Sequence, residues 1–530
     1  MSRKQLPKYV GPFIGFNQQS YSVYLALPFD ESQSKITCVF TSGSKHLEVE
    51  SRTHNFDKEF GLRIFDLPDE IPFGTEVKYL FKRNGELIRD IDGLIFDDLH
   101  FKNIKQSEIK KIASVSCNNP FHFKETKSKR FNMWDKFYTE AIQADIELVI
   151  LAGDQVYNDN LEKNMKNDIN HSELRRKFIR NYLAYFGILS RKKLLARIPS
   201  IAMWDDHDIT DGYGSRPEQF KSENSRKRWQ EYFEVANECF SAFQAIRNPN
   251  NQFKKSHSTY LDILNTRIYL LDLRTHRDSS KGRLMSKDDF DDFRNSILGL
   301  PENIRNVTIV SPVIIARSSS CLDGGVRYFG KGLSYLRSLL LSTIGQLGRT
   351  DEYIRKAFRK TMVADLVDDL DDSLGSSKNR QDFKKIMEII TPPLSNGISF
   401  QFLSGDIHIG GSATLYIKSE EQVYEVPILV SSPIGYEPMS SFVEKLTTSK
   451  SRINLISTEE VNIYQLNNEY IAERNFLLMT FDEEFLQSSH HFEYSKVINQ
   501  KYKINTNDLI NTINVERKEI TKKKDDTYGI

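Results

Sequence analysis

Leu148-Val-Ile-Leu-Ala152 runs directly into Gly153-Asp-Gln-Val-Tyr157. The first five residues read as an apolar strand, and the acid and tyrosine that follow lie in the loop at its end, where layered α/β folds bind ligands. Two later stretches repeat the design: Ile198 to Met203 precedes Trp204-Asp-Asp-His-Asp208, and Ile398 to Leu403 precedes Ser404-Gly-Asp-Ile-His408. Taken singly, each cluster is weak, since a Gly-Asp after a strand is commonly a plain turn and Asp205 to Asp208 could simply cap a helix. Taken together they point to one site, because buried carboxylates are costly unless cations or hydrogen bonds compensate them, and three strand ends carry the same chemistry.

Around this centre the pattern alternates between strands and helices. Ile112-Ala-Ser-Val-Ser116 ends at Cys117-Asn-Asn-Pro120, and a helix is expected from about Met133. Further strands are expected at Tyr260 to Leu271 and Asn306 to Val310, and helices at Glu173 to Leu194, Asn224 to Phe243 and Lys331 to Leu341, which makes a layered α/β domain. Upstream, from Tyr9 to about Ile104, short alternating segments such as Ser22 to Leu27, Lys35 to Phe40 and Glu76 to Phe81 are separated by turn residues including Gly43, Gly74 and Asn84-Gly85, and predict a small antiparallel β-sandwich. After about Ser440 strand-like pieces return, and the lysine-rich Glu516 to Asp526 reads as a frayed tail,. The expected division is an N-terminal β-sandwich over 1–105, a catalytic domain over 106–440 and a β-rich extension with a charged tail over 441–530.

A length of 530 residues favours two or three domains,. With 73 basic and 72 acidic residues, no surface built mainly for nucleic acid or anionic lipid is indicated, so an anionic substrate must be met locally. No secretory signal is read at the N-terminus, and no apolar run approaches the ~20 residues of a membrane span. Four scattered cysteines, Cys38, Cys117, Cys239 and Cys321, do not make a disulfide scaffold and suggest reduced thiols in the cytoplasm. The acidic run Leu366 to Asp372 is either a solvated helix face or an extra cation site,.

The order Gly-Asp-x-x-Tyr, Asp-Asp-His-Asp after a tryptophan, and Ser-Gly-Asp-x-His resembles the alkaline phosphatase D (PhoD-like) branch of the calcineurin-like metallophosphoesterases. The resemblance spans Ala113 to Pro433, and the N-terminal segment is similar to the small β domain that precedes the catalytic domain in those proteins. It implies a four-layer metallophosphoesterase sandwich carrying a binuclear metal centre. By position, Asp154 is the implied bridging carboxylate, Tyr157 a phenolate ligand as in the related purple acid phosphatases, and Cys117 a thiolate replacing the aspartate of the wider superfamily. With His408 these make one softer site. Asp206 stands where the superfamily usually has asparagine and Asp406 where it usually has histidine, so the second site is richer in hard oxygen. Thiolate, phenolate and imidazole suit iron and oxygen ligands suit calcium, magnesium or manganese, so Fe3+ with Ca2+ is the expected pair and Mn2+ the alternative. Ser311-Pro312 falls where the superfamily often supplies a further histidine, which leaves the second site one ligand short.

His207 is expected to donate a proton or clamp the phosphate electrostatically, with Asp205 and Asp208 orienting it or a bound water. Arg274, in Asp272-Leu-Arg-Thr-His-Arg277, either forks onto phosphate oxygens or forms a surface salt bridge with one of the many aspartates. The remaining histidines, His490-His491 included, read as structural. The expected reaction is hydrolysis of a small-molecule phosphate mono- or diester. The rival is an inactive phosphatase-fold binding protein that uses the N-terminal domain and Leu366 to Asp372 as partner surfaces.

Overall fold

Alternating residues make the N-terminal strands two-faced, and in the computed structural model they close a sandwich. That structure describes residues 6–17, 20–28, 34–55, 60–122, 130–166, 170–249, 255–315, 372–376, 378–419, 422–438, 453–457, 461–482 and 484–503. Strands β1 (Val10–Asn17), β2 (Ser20–Pro28), β3 (Ile36–Ser42), β4 (Lys45–Glu50), β5 (Arg52–Asn55), β6 (Phe60–Asp66), β7 (Thr75–Arg83), β8 (Glu86–Leu87) and β9 (His100–Asn103) form two antiparallel sheets. Their orders are β1-β2-β6-β5 and β4-β3-β7-β8, with β9 beside β7. Rings such as Phe40, Phe65, Tyr79 and Phe81 are buried in this region, and Phe65 meets Phe81 with centroids 5.3 Å apart.

The apolar runs form the next layer. β10 (Lys111–Val115), helix α1 (Asn132–Gln143), β11 (Leu148–Ala152), α2 (His171–Phe186), α3 (Leu189–Leu195), β12 (Ser200–Met203), α4 (Asp206–Ile209) and α5 (Glu223–Phe243) follow in order. After them come β13 (Thr259–Ile263), β14 (Thr266–Leu270), α6 (Lys287–Leu298), β15 (Asn306–Ser311), α7 (Arg380–Ser395), β16 (Ser399–Ser404), β17 (Gly410–Ser419) and β18 (Gln422–Ser431). Last are β19 (Ile453–Ser457), β20 (Val461–Ile471), β21 (Asn475–Phe481), β22 (Phe485–Phe492) and β23 (Ile498–Lys503). One sheet runs β12-β11-β10-β21-β22-β23 and the other β13-β14-β15-β16-β18-β17-β20-β19. Within them β12-β11-β10 and β14-β15-β16-β18 are parallel.

Ile150, Met203, Ile268, Val310 and Leu403 share one core between the sheets. Trp134 and Phe137 of α1 cover the outer face of the first sheet, and Phe293 of α6 with Ile386 and Ile390 of α7 cover that of the second. The result is the expected helix, sheet, sheet, helix order. Continuous apolar strands fit it because a parallel strand is buried on both faces. Every parallel strand delivers its carboxyl end to the same side, which brings the motif loops together.

Three local expectations change. Tyr260 to Leu271 is a hairpin, β13 and β14, that turns at Leu264 with φ +44°; the turn lacks glycine or proline, so two apolar strands read as one. Glu173 to Leu194 divides at Gly187, a weak helix former, into α2 and α3,. The strands after residue 452 join the two larger sheets, with Lys111 opposite Thr480 and Ala413 opposite Asn467. The expected helix Lys331 to Leu341, Cys321, residues 366–371 and the tail Glu516 to Asp526 lie outside the described residues. Among the described residues, no helix is long and apolar enough to cross a membrane.

Candidate metal centre

Cys117 follows the end of β10 and Asp154 the end of β11; both are buried, and their side chains meet with Sγ 3.5 Å from Asp154 Oδ2. The loop after β16 lies against the same sulfur: Cys117 Sγ is 3.5 Å from the Asp406 carbonyl oxygen. Tyr157 Oη is 3.4 Å from Asp154 Oδ2, and its ring stacks on His207 at 4.2 Å. Asp154, Asp206 and His207 each offer a ligand atom within 4.8 Å of the others. Thus the three motifs, separate in sequence, line one place. Two glycines permit the approach: a Cβ on Gly153 would lie 2.9 Å from Asp205 Cβ, and one on Gly405 would lie 2.8 Å from the Ala152 carbonyl oxygen.

Backbone strain concentrates on the candidate ligands. Cys117, Asp154, Asp406 and His408 hold φ of +52°, +55°, +75° and +55°, a left-handed conformation that costs non-glycine residues of order 1 kcal/mol each and gathers at functional sites. Asp154 Oδ1 is buried with no hydrogen-bond partner among the described residues.

Burial pushes the Asp154 carboxyl well above the usual range; His207 opposes this, while Asp205, Asp206 and Asp208 add to it. Burial, then Asp154 and Asp406, push the Cys117 thiol up. A metal ion held by these residues would oppose both shifts. Burial also raises Asp206, but Arg274, His207 and the Gly212 N–H outweigh it and hold the carboxyl at about 2.

His207 is oriented by a residue the sequence reading passed over. Its Nδ1 lies 2.8 Å from Asp159 Oδ1. Burial alone lowers its pKa, but Asp159, Asp206 and Asp154 outweigh burial and hold it well above the usual histidine range, as imidazolium. Asp205 and Asp208, expected to orient His207 or a bound water, make other contacts among the described residues. Together they cap α4 reciprocally,. Asp208 also accepts from Val156 N and Gln244 Nε2 at 3.1 and 3.0 Å, and Asp205 pairs with Arg274 Nε. Burial raises Asp205 to about 6 and Asp208 to about 7.

Arg274 is fully buried, with its guanidinium held by carboxylates: Asp205 at Nε, Asp372 at 2.7 Å and Asp206 at 3.5 Å. Of the two readings left open, the geometry realises the salt bridge, inside the site rather than on the surface. Arg277 joins through Asp372 Oδ1 at 2.9 Å. Asp372, read as part of a solvated or cation-binding run, is instead a buried counter-ion of two arginines. Ser311 Oγ turns to Val313 O at 2.6 Å. His490 is buried on Val430 O at 3.1 Å, His491 stacks on Phe476, and Cys239 is buried, all as structural residues.

Residues 112–302 match the family model of the PhoD-like phosphatases. A protein of Saccharomyces cerevisiae, described as uncharacterized, is 25% identical over 168 residues, covering 25% of this chain and 24% of that protein; the chain thus spans about a quarter of the length of the curated relative it matches. Among solved structures, one of PhoD aligns with a TM-score of 0.60 at 12% identity, over 95% of this chain and 92% of the other. A purple acid phosphatase from yellow lupin (Lupinus luteus) seeds aligns with a TM-score of 0.51 at 10% identity, over 93% and 74%. At these identities the likeness is one of fold. Residues 112–302 thus resemble the PhoD-like phosphatases in sequence, and the chain shares its fold with PhoD.

Proposed function

We propose that this chain hydrolyses phosphate esters of small molecules at a binuclear metal centre. The observation that carries the reading is that Cys117, Asp154, Asp406 and His408 each hold a left-handed backbone at a strand end, with Cys117 Sγ 3.5 Å from both Asp154 Oδ2 and the Asp406 carbonyl oxygen and Asp154 Oδ1 buried with no partner among the described residues. The donor set fits two cations. Cys117, Asp154, Tyr157 and His408 suit iron, and Asp206 and Asp406, with Asp154 shared, suit Ca2+; Mn2+ is the alternative. When bound, such cations supply Lewis acidity for the phosphoryl oxygens and lower the pKa of water.

The chain's own residues supply the rest. His207, held as imidazolium by Asp159, donates charge or a proton to the leaving oxygen. Arg274 acts through Asp206, holding its carboxylate charged and in place, instead of forking onto phosphate. The buried thiols among the described residues, Cys38, Cys117 and Cys239, fit a cytoplasmic setting.

Turnover of a chromogenic phosphomonoester and a bis-ester tests the activity and separates phosphatase from phosphodiesterase. Asp154→Asn is expected to lose metal and turnover together. Fully metallated wild-type protein that turns over nothing in a phosphoester panel would sink the enzymatic reading and favour a binding protein on this scaffold.

A further inference from the structure

The candidate ligands sit on four loops, after β10, β11, β12 and β16, yet a fifth, after β18, is laced into the same place. Ser431 Oγ donates to Ser114 O at 2.9 Å, Ile434 N to Ser116 O at 2.9 Å and Gly435 N to Cys117 O at 3.2 Å. The loop therefore runs alongside the Cys117 turn and ties β18 of one sheet to β10 of the other. It brings two side chains to the candidate ligands.

Ser432 is fully buried. Its hydroxyl accepts the His408 N–H at 3.1 Å and lies 3.1 Å from Cys117 Sγ. A hydroxyl has one hydrogen, and with the His408 amide already donating to the oxygen, that hydrogen is available for the sulfur. Ser116, the other nearby hydroxyl, directs its hydrogen to Ser431 O at 2.7 Å. Ser432 is thus placed to solvate a thiolate at Cys117 while fixing the backbone of His408.

Tyr436 is half-buried. Its ring stacks on His408 at 4.2 Å and 26°, and on Tyr157 at 5.4 Å and 24°. These two rings come from loops after different sheets, and Tyr436 sets the plane of both.

We propose that the loop 431–436 is a positioning element of the metal site, in which the Ser432 hydroxyl aligns Cys117 with His408 and the Tyr436 ring aligns His408 with Tyr157. The proposal rests on the binuclear reading above. Its residues touch ligands and not substrate, so their effect is on metal retention. Partners that orient a ligand are typically worth on the order of 10–100-fold in metal affinity.

The test is the rate at which metallated full-length protein yields iron or manganese to a chelator, with the melting temperature of the metal-stripped protein measured alongside. Ser432→Ala and Tyr436→Leu are expected to release metal on the order of 10-fold faster or more. Tyr436→Phe, which keeps the ring, restores slow release, and all three metal-stripped variants melt close to the wild type. Release at the wild-type rate from both Ser432→Ala and Tyr436→Leu overturns the proposal, as does Tyr436→Phe failing as badly as Tyr436→Leu. Should Tyr436→Leu not fold, Ser432→Ala, which removes a single oxygen, decides by the same criterion. A wild type that takes up no metal overturns the binuclear reading itself, a result visible before any variant is made.

Discussion

Replacing Arg274 by methionine keeps most of the side chain's volume and removes its charge from among three buried aspartates. In the native protein the guanidinium pairs with Asp205, Asp206 and Asp372, and neither Arg274 nor Asp205 is measurably open to water. Removing one partner of a buried ion pair typically costs about 3–5 kcal/mol, because the other charge stays buried and unbalanced. Here Arg277 still reaches Asp372, which leaves Asp205 and Asp206 as the uncompensated groups.

Proton uptake sets the pH dependence of that loss. Burial holds Asp205 at about 6 although Arg274 pulls it down, so without Arg274 its pKa in the folded state rises further above the unfolded value of about 3.9. The folded variant then binds more protons than the unfolded chain, so its stability falls as pH rises through the new folded pKa, and the deficit relative to wild type is fully expressed above it. Denaturant midpoints of metal-stripped wild type and Arg274→Met at pH 8 and pH 5.5 provide the assay. The expected outcome is a loss of roughly 3–5 kcal/mol at pH 8 that narrows at pH 5.5. Equal midpoints at pH 8, or a deficit that widens on acidification, would refute the buried counter-ion argument.

Other perturbations probe separate parts of the site. His207→Ala is expected to lower kcat by roughly 10²–10⁴, the usual worth of a positioned acid or base, while Asp159→Asn, which keeps an acceptor for the imidazole but removes the charge that raises its pKa, costs less; equal losses would mean that Asp159 does more than hold and charge the imidazole. Burial keeps His490 at about 4, below the unfolded value of about 6.5, so the unfolded chain binds the extra proton and stability is lost as pH falls through that window, by up to roughly 3 kcal/mol. In His490→Gln, which can still donate to Val430 O, the slope of melting temperature against pH between 7 and 4.5 should flatten, and an unchanged slope would rule out His490 as its source. Cys117→Ser should weaken metal retention without unfolding the metal-stripped protein, and identical metal content in variant and wild type would remove the sulfur from the ligand set.

The parts of this molecule that are local in the chain were legible. An apolar run ending in an acid, as at Leu148 to Asp154, carries its own statement that a buried strand ends and a polar loop begins, and three such runs pointed to the candidate site. Partnerships across the fold were not. Asp159 and His207 are 48 residues apart and meet at 2.8 Å, with no spacing rule to link them. Asp372 looked solvated because acidic runs usually are, and only the approach of Arg274 and Arg277 makes it a buried counter-ion. Arg274 was readable as a cation near the site, but its direction depends on which carboxylates crowd it. Ser432 and Tyr436 carry no motif; their significance comes from β18 lying beside β16 in the sheet. The pairing of Lys111 with Thr480 was equally hidden, since strand neighbours so far apart leave no local trace.

The central claim is that Cys117, Asp154, Tyr157, Asp206, Asp406 and His408 together hold two metal ions. Elemental analysis of the purified protein, paired with its visible spectrum, tests it most directly. The account predicts two metal ions per chain, a tyrosinate-to-iron band that disappears in Tyr157→Phe, and loss of metal in Asp154→Asn. Wild-type protein that carries no metal after incubation with iron, calcium and manganese, or Asp154→Asn with undiminished metal content, would contradict it.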